Sequence, residues 1–221
     1  MNYELMENNK VFLKGEVVSK AVFSHEVYGE GFYELDLKVQ RLSENYDIIP
    51  VTVSEKLLGD DNFAVGNMVA LKGQFRSYNK LVDGKSKLIL TVFVRELIEF
   101  DDSMNPNIVE LSGFVCKEPI YRTTPFGREI CDLLLAVNRA YNKSDYLPCI
   151  AWGRNARFIG SVSVGQKLDI IGRIQSREYQ KKISETEIQT RTAYEISISK
   201  IHLSQVRGET KDLSEENQIL A

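Results

Sequence analysis

Four aromatic residues and six cations gather in one stretch of the sequence. Tyr141, Tyr146, Trp152 and Tyr179 lie among Arg122, Arg154, Arg157, Arg177, Lys181 and Lys182. Their chemistry is that of holding a ligand: a ring offers a π-face to a planar heterocycle, and a guanidinium or ammonium meets an anion beside it. Taken singly, each has a duller reading, as a core aromatic or a cation on a solvated rim. As a set they suit single-stranded nucleic acid, which presents bases and phosphates in turn.

Bond-making chemistry has no comparable signal. There is no G-x-S-x-G, no glycine loop closing in Gly-Lys-Ser/Thr and no Cys/His pair at catalytic spacing, so no catalytic residues and no enzyme are expected. Asp132, Asp145 and Asp169 fall on different strands and are expected to be exposed. Cys116, Cys131 and Cys149 lack a C-x-x-C, and His25 and His202 stand apart. No metal or other cofactor is therefore expected, and the cysteines read as buried free thiols of a reducing compartment. No run approaches the roughly 20 apolar residues of a membrane helix. Met1–Glu7 has no basic-then-apolar export pattern, so the expected location is cytoplasmic, at the nucleoid.

The elements that must position these residues occur twice. Asn9-x-Val11-x-Leu13-x-Gly15 returns as Asn107-x-Val109-x-Leu111-x-Gly113, Leu37-x-Val39-x-Arg41 as Leu135-x-Val137-x-Arg139, and Asp47-x-x-Pro50 as Asp145-x-x-Pro148, each 98 residues on. Gly66, Gly73 and Ser77 return as Gly165, Gly172 and Ser176, 99 residues on. A period near 100 is a whole duplicated domain, too long for a solenoid repeat. In each copy, apolar β-branched runs closed by Gly, Pro or Asn predict five strands: 10–23, 32–42, 47–53, 68–77 and 87–98, then 107–117, 129–139, 146–152, 167–178 and 191–203. A short helical segment, 55–58 or 155–159, separates the third strand from the fourth. The expected fold is all-β: two tandem five-stranded oligonucleotide-binding (OB-fold) barrels, each with a short helix between strands 3 and 4. Gly15 and Gly113 fall inside the first strand, where a strand shared by both halves of a small barrel must bend.

Four segments are expected: a first barrel in 1–100, a linker at 101–106, a second barrel at 107–205 and an acidic, disordered tail at 206–221. Charge divides with them. Residues 1–106 carry net −5, residues 107–205 net +4 and the tail net −2. The basic character therefore lies with the aromatics, and over a screening length of about 10 Å the local charge is what a phosphate feels. The hairpin 178–192, with Lys181 and Lys182, is longer than its counterpart 78–87 and reads as a basic arm or a solvated loop.

The second copy resembles the bacterial single-stranded DNA-binding protein family over nearly all of 107–203. The resemblance rests on Leu-x-Gly at 111–113, Pro119-x-x-Arg122-x-x-x-x-Gly127, Leu135–Arg139, Trp152-Gly153-x-x-Ala156 and the run from Gly165 through Gly172-Arg173-Ile174-Gln175-Ser176-Arg177 to Tyr179. It implies base-stacking roles for Tyr141, Tyr146, Trp152 and Tyr179, a phosphate role for Arg122, and a homodimer that brings four barrels together. The first copy departs from the pattern: Tyr141 becomes Ser43, Trp152 becomes Val53 or Ser54, Arg122 becomes Ser24 and Tyr179 becomes Lys80. It is expected to bind weakly or not at all. The family's acidic tip ends in Pro-Phe and docks replication and repair proteins. This chain ends Leu220-Ala221, which puts that recruitment in doubt. The expected function is sequence-tolerant coating of single-stranded DNA in replication, recombination or repair; stacking does not read the 2′-OH, so the residues themselves leave DNA and RNA alike open. The competing expectation is a tandem-barrel adaptor that binds proteins, with nucleic acid secondary.

Overall fold

The computed structural model describes residues 7–59, 61–82, 84–99, 103–182 and 188–204. The tail 206–221, the centre of the 178–192 hairpin and the side chain of Lys182 lie outside the described residues. The first copy comprises β1 (Asn9–Val17), β2 (Val22–Val27), β3 (Glu30–Gln40), β4 (Tyr46–Ser54), α1 (Glu55–Leu58), β5 (Met68–Val82) and β6 (Lys85–Ile98). The second repeats it: β7 (Asn107–Val115), β8 (Ile120–Thr123), β9 (Glu129–Arg139), β10 (Lys143–Trp152), α2 (Arg154–Gly160), β11 (Lys167–Lys182) and β12 (Ile188–Leu203). The chain is all-β, with one short helix after the fourth strand of each copy.

Each copy has six strand segments where the sequence predicts five. The expected first strand 10–23 ends at Val17, and a separate β2 pairs with β3. All of β2 but Ser24 is exposed, so it carries no alternating apolar signal to find. In β1, by contrast, every second residue is buried, as a half-buried strand requires. β1 pairs with β5 and, at its end, with β3, which closes the barrel; β7 does the same with β11 and β9. At the crossing the backbones approach closely. A Cβ on Gly15 would lie 2.7 Å from the Lys38 carbonyl oxygen, and one on Gly113 2.6 Å from that of Ala136, so both positions exclude a side chain.

The copies join edge to edge. β1 and β7 run antiparallel with Val11 opposite Val109, both fully buried, so the 98-residue repeat becomes a local two-fold relation about that pair. All twelve strands form one continuous sheet. Two reciprocal contacts flank the axis. Asp145 of the second copy accepts the Ser77 amide at 2.7 Å, and Asp47 of the first accepts the Ser176 amide at 2.7 Å. Arg76 and Arg139 hold Asp145 at 3.4 and 3.2 Å, while Arg41 and Arg173 hold Asp47 at 2.6 and 3.3 Å. Asp145, expected at the surface, is therefore fully buried: its carboxylate points into the seam between the copies, where cations and an amide replace water.

Candidate nucleic-acid interface

The outer face of the second barrel is built by β8, β9 and β10. Odd residues of β10, Asp145 to Ala151, point inward, so Tyr146 and Trp152 share the outward side and are 48% and 40% exposed. Six residues of strand separate them by about 20 Å. Trp152 lies opposite Ile130 on β9, and Ile130 lies opposite Arg122 on β8. Directly opposed residues share a face, so the Trp152 ring and the Arg122 guanidinium flank Ile130, itself buried at 3% exposure, in one row across three strands. β11 adds Arg177 and Tyr179, with Tyr179 opposite Arg191 and Arg177 opposite Ala193. Both project on the outward side of the ribbon. Tyr141 stands apart from the strands in a turn at Ala140–Asn142, with φ +62 and a 77% exposed ring.

The cations differ in how free they are. Arg122 is paired with Asp132 at 2.9 Å, Arg157 with Glu129 at 2.9 Å, and Arg177 lies 4.0 Å from Glu195. The Arg122 and Arg157 pairs are open to solvent and worth little in water, about 0–1 kcal/mol, so a phosphate can displace their carboxylates, whereas Glu195 is buried. Arg154, at the start of α2, and Lys181, on β11, are exposed and carry no ion pair among the described residues. Sequence reading missed two exposed aromatics on the β8–β9 hairpin: Tyr121, whose hydroxyl donates to Glu129 at 2.6 Å, and Phe126, 92% exposed. Tyr121 sits beside Arg122 in sequence, the one signal that could have found it.

No group of three or more metal-ligating side chains occurs among the described residues. Cys131 and Cys149 are buried and Cys116 partly so; all three are free. Burial pushes the Cys131 thiol up to about 11 and raises Cys149 further, which suppresses the reactive thiolate. No helix among the described residues is long and apolar enough to cross a membrane.

The reciprocal aspartates fix how the copies correspond. With Asp47 equivalent to Asp145, Ile48 stands where Tyr146 does and Ser54 where Trp152 does. With Ser77 equivalent to Ser176, Lys80 replaces Tyr179 and Tyr78 replaces Arg177. Counting residues put Ser24 in the place of Arg122. The structure puts His25 there, because a bulge after Phe23 shifts the register and sets His25 opposite Phe32. The first barrel's outer face carries its own cluster: His25 stacks on Phe32 at 5.1 Å, and Phe32 packs on Phe93 at 5.4 Å.

Comparison with known proteins agrees with this geometry. Residues 106–204 match the Single-strand binding protein family. Single-stranded DNA-binding protein 1 of Staphylococcus aureus is 35% identical over 83 residues, covering 34% of this chain and 50% of its own. Single-stranded DNA-binding protein A of Bacillus subtilis is 31% identical over 94 residues, covering 38% and 55%. The chain thus spans about half the length of the curated relatives it matches. The crystal structure of the wild-type single-stranded DNA binding protein from Thermus aquaticus covers 90% of this chain and 94% of its own, with a TM-score of 0.72 at 20% identity. A deletion mutant of the same protein covers 92% and 98%, at 0.72 and 19%. That likeness extends the shared fold across both barrels. Sequence similarity to the single-strand binding protein family is thus confined to the second barrel.

Proposed function

We propose that this chain coats single-stranded DNA without cutting or joining it, in replication, recombination or repair, and that the second barrel makes the principal contacts. The observation that carries this reading is the row Trp152, Ile130 and Arg122, with Tyr146 farther along the same outward face of β10. Trp152, Tyr146, Tyr179 and Tyr141 stack bases, at about 1–3 kcal/mol each. Arg122, Arg154, Arg157, Arg177, Lys181 and Lys182 meet phosphates. We take 101–106 as the boundary between the barrels, and a cytoplasmic homodimer as the working assembly.

Trp152 is the chain's single tryptophan, so its emission reports on the proposed site directly. Titration with oligo-dT of about 30 nucleotides should quench it. The affinity should fall with salt at a log–log slope of about −0.7 per phosphate neutralised. Absence of both quenching and a gel shift would overturn the reading and leave the protein-binding adaptor. A flat salt response would remove the phosphate contacts from it.

A further inference from the structure

Three guanidiniums converge where the outer face of the first barrel meets the second. Gln74 Oε1 accepts from Arg76 and, at 2.9 and 3.3 Å, from Arg95. Asp145 accepts from Arg76 at 3.4 Å and from Arg139 at 3.2 Å. One carboxylate and one neutral amide thus tie together three cations among the described residues.

The two-fold-related place provides an internal control. There Arg41 and Arg173 hold Asp47, while Gln175 donates to Glu195 at 2.7 Å and Arg177 lies 4.0 Å from it: three cations share two carboxylates, against one beside Asp145. By the strand pairing, Arg95 stands where the second copy has Ser199, and Thr91 where it has Glu195. The contact around Asp47 is complete with two arginines, so the third cation beside Asp145 is surplus to holding the copies together. The cations press on one another: burial first, then Arg139, lowers Arg76 to about 10, and the same two causes lower Arg95. Arg95 is exposed and lies 4.9 Å above the Phe93 ring, on the His25–Phe32–Phe93 cluster.

We propose that Arg76, Arg95 and Arg139 form a phosphate site on the first barrel, taking a backbone phosphate of a single strand that leaves the second barrel's face. Continuity selects a nucleic-acid phosphate over a free anion. Tyr146 follows Asp145 directly, and its amide donates to the Ser77 hydroxyl at 2.8 Å, so a proposed stacking residue adjoins the cluster. This inference rests on the reading under Proposed function. It gives the net-acidic first barrel a phosphate contact, although Ser54 stands where Trp152 does.

The test uses the full chain and its Arg95→Ser and Arg95→Glu variants, with oligo-dT of about 12 and about 35 nucleotides; one barrel covers about 4–16 nucleotides. Arg95 is exposed and outside the buried contact, so both variants should keep the wild-type melting temperature. Arg95→Ser should leave 12-mer affinity and Trp152 quenching unchanged. It should weaken 35-mer binding by about five-fold, the scale of one charge-assisted contact, and reduce the salt slope by about 0.7. Arg95→Glu should weaken it further. Unchanged 35-mer affinity and slope would overturn the phosphate site while leaving the second-barrel reading intact, and so would an equal loss on both lengths. Failure of the wild type to bind the 12-mer would overturn both.

Discussion

Asp47 is fully buried, yet it titrates below the ordinary carboxylate range. Burial alone would raise it; hydrogen bonds from Arg41 and the Ser176 amide outweigh burial. A folded value below the unfolded one, near 3.9, means the contact stabilises fully above that pH. The contribution is lost as pH falls through the folded value. Urea melts between pH 6 and pH 3 should show stability falling below about pH 4, and Asp47→Asn should flatten that fall. Asp145 makes the reciprocal point. Asp145→Ala leaves Arg76 and Arg139 facing each other without a carboxylate, and should cost about 3–5 kcal/mol, the usual result of breaking a buried ion pair from one side. A loss under 1 kcal/mol would mean water replaces the carboxylate. The sequence displayed both aspartates as a repeated Asp-x-x-Pro with Arg41 or Arg139 six residues before, but the serine amides that fix them in the seam lie 129 and 68 residues away on the other copy. No local pattern encodes a partner that distant, which is why Asp145 reads as exposed.

At the scale of elements, the strands were legible wherever one face is buried. Alternation marks β1 and β7, where Val11, Leu13, Val109 and Leu111 face inward and Lys10, Lys14, Glu110 and Ser112 face outward. The hairpin strands β2 and β8 were invisible for the opposite reason: neither buries a residue, so nothing in their sequence had to alternate. The site was legible to the same degree. Trp152 and Tyr146 follow from their parity on β10, whereas the place of His25 depends on a bulge that residue counting cannot see. The glycines of the crossing strands permit a direct check. Gly113→Ala sets a methyl group 2.6 Å from the Ala136 carbonyl and should cost about 1–3 kcal/mol in a urea melt, as overpacking does. An alanine tolerated without loss would show that β7 and β9 can separate at no cost.

On the scale of the whole molecule, the two copies are not independent beads. The β1–β7 pairing and the two buried aspartate contacts bind them, and one buried cluster draws residues from both. Unfolding should therefore follow a single transition in calorimetry. Residues 103–204 produced alone would leave the β7 edge unpaired with Val109 at its centre. An exposed strand edge is a template for pairing. That fragment should dimerise through β7, recreating the β1–β7 seam with a second copy of itself, as light scattering or native mass spectrometry would show. A monomeric fragment would mean that the linker, rather than the edges, holds the barrels together.

The Val11–Val109 axis is approximate only because the two halves belong to one chain. A dimer of identical barrels carries every substitution twice, so its seam reads the same from either end. Here the halves are free to differ: Ser54 holds the position equivalent to Trp152, and Ser199 the position equivalent to Arg95. A nucleic-acid strand has a 5′ and a 3′ end, and on the proposed path crossing from the Trp152 face to the Arg95 cluster is a different event in the two directions. Joining the barrels covalently thus gives the seam a polarity that a symmetric pair cannot have.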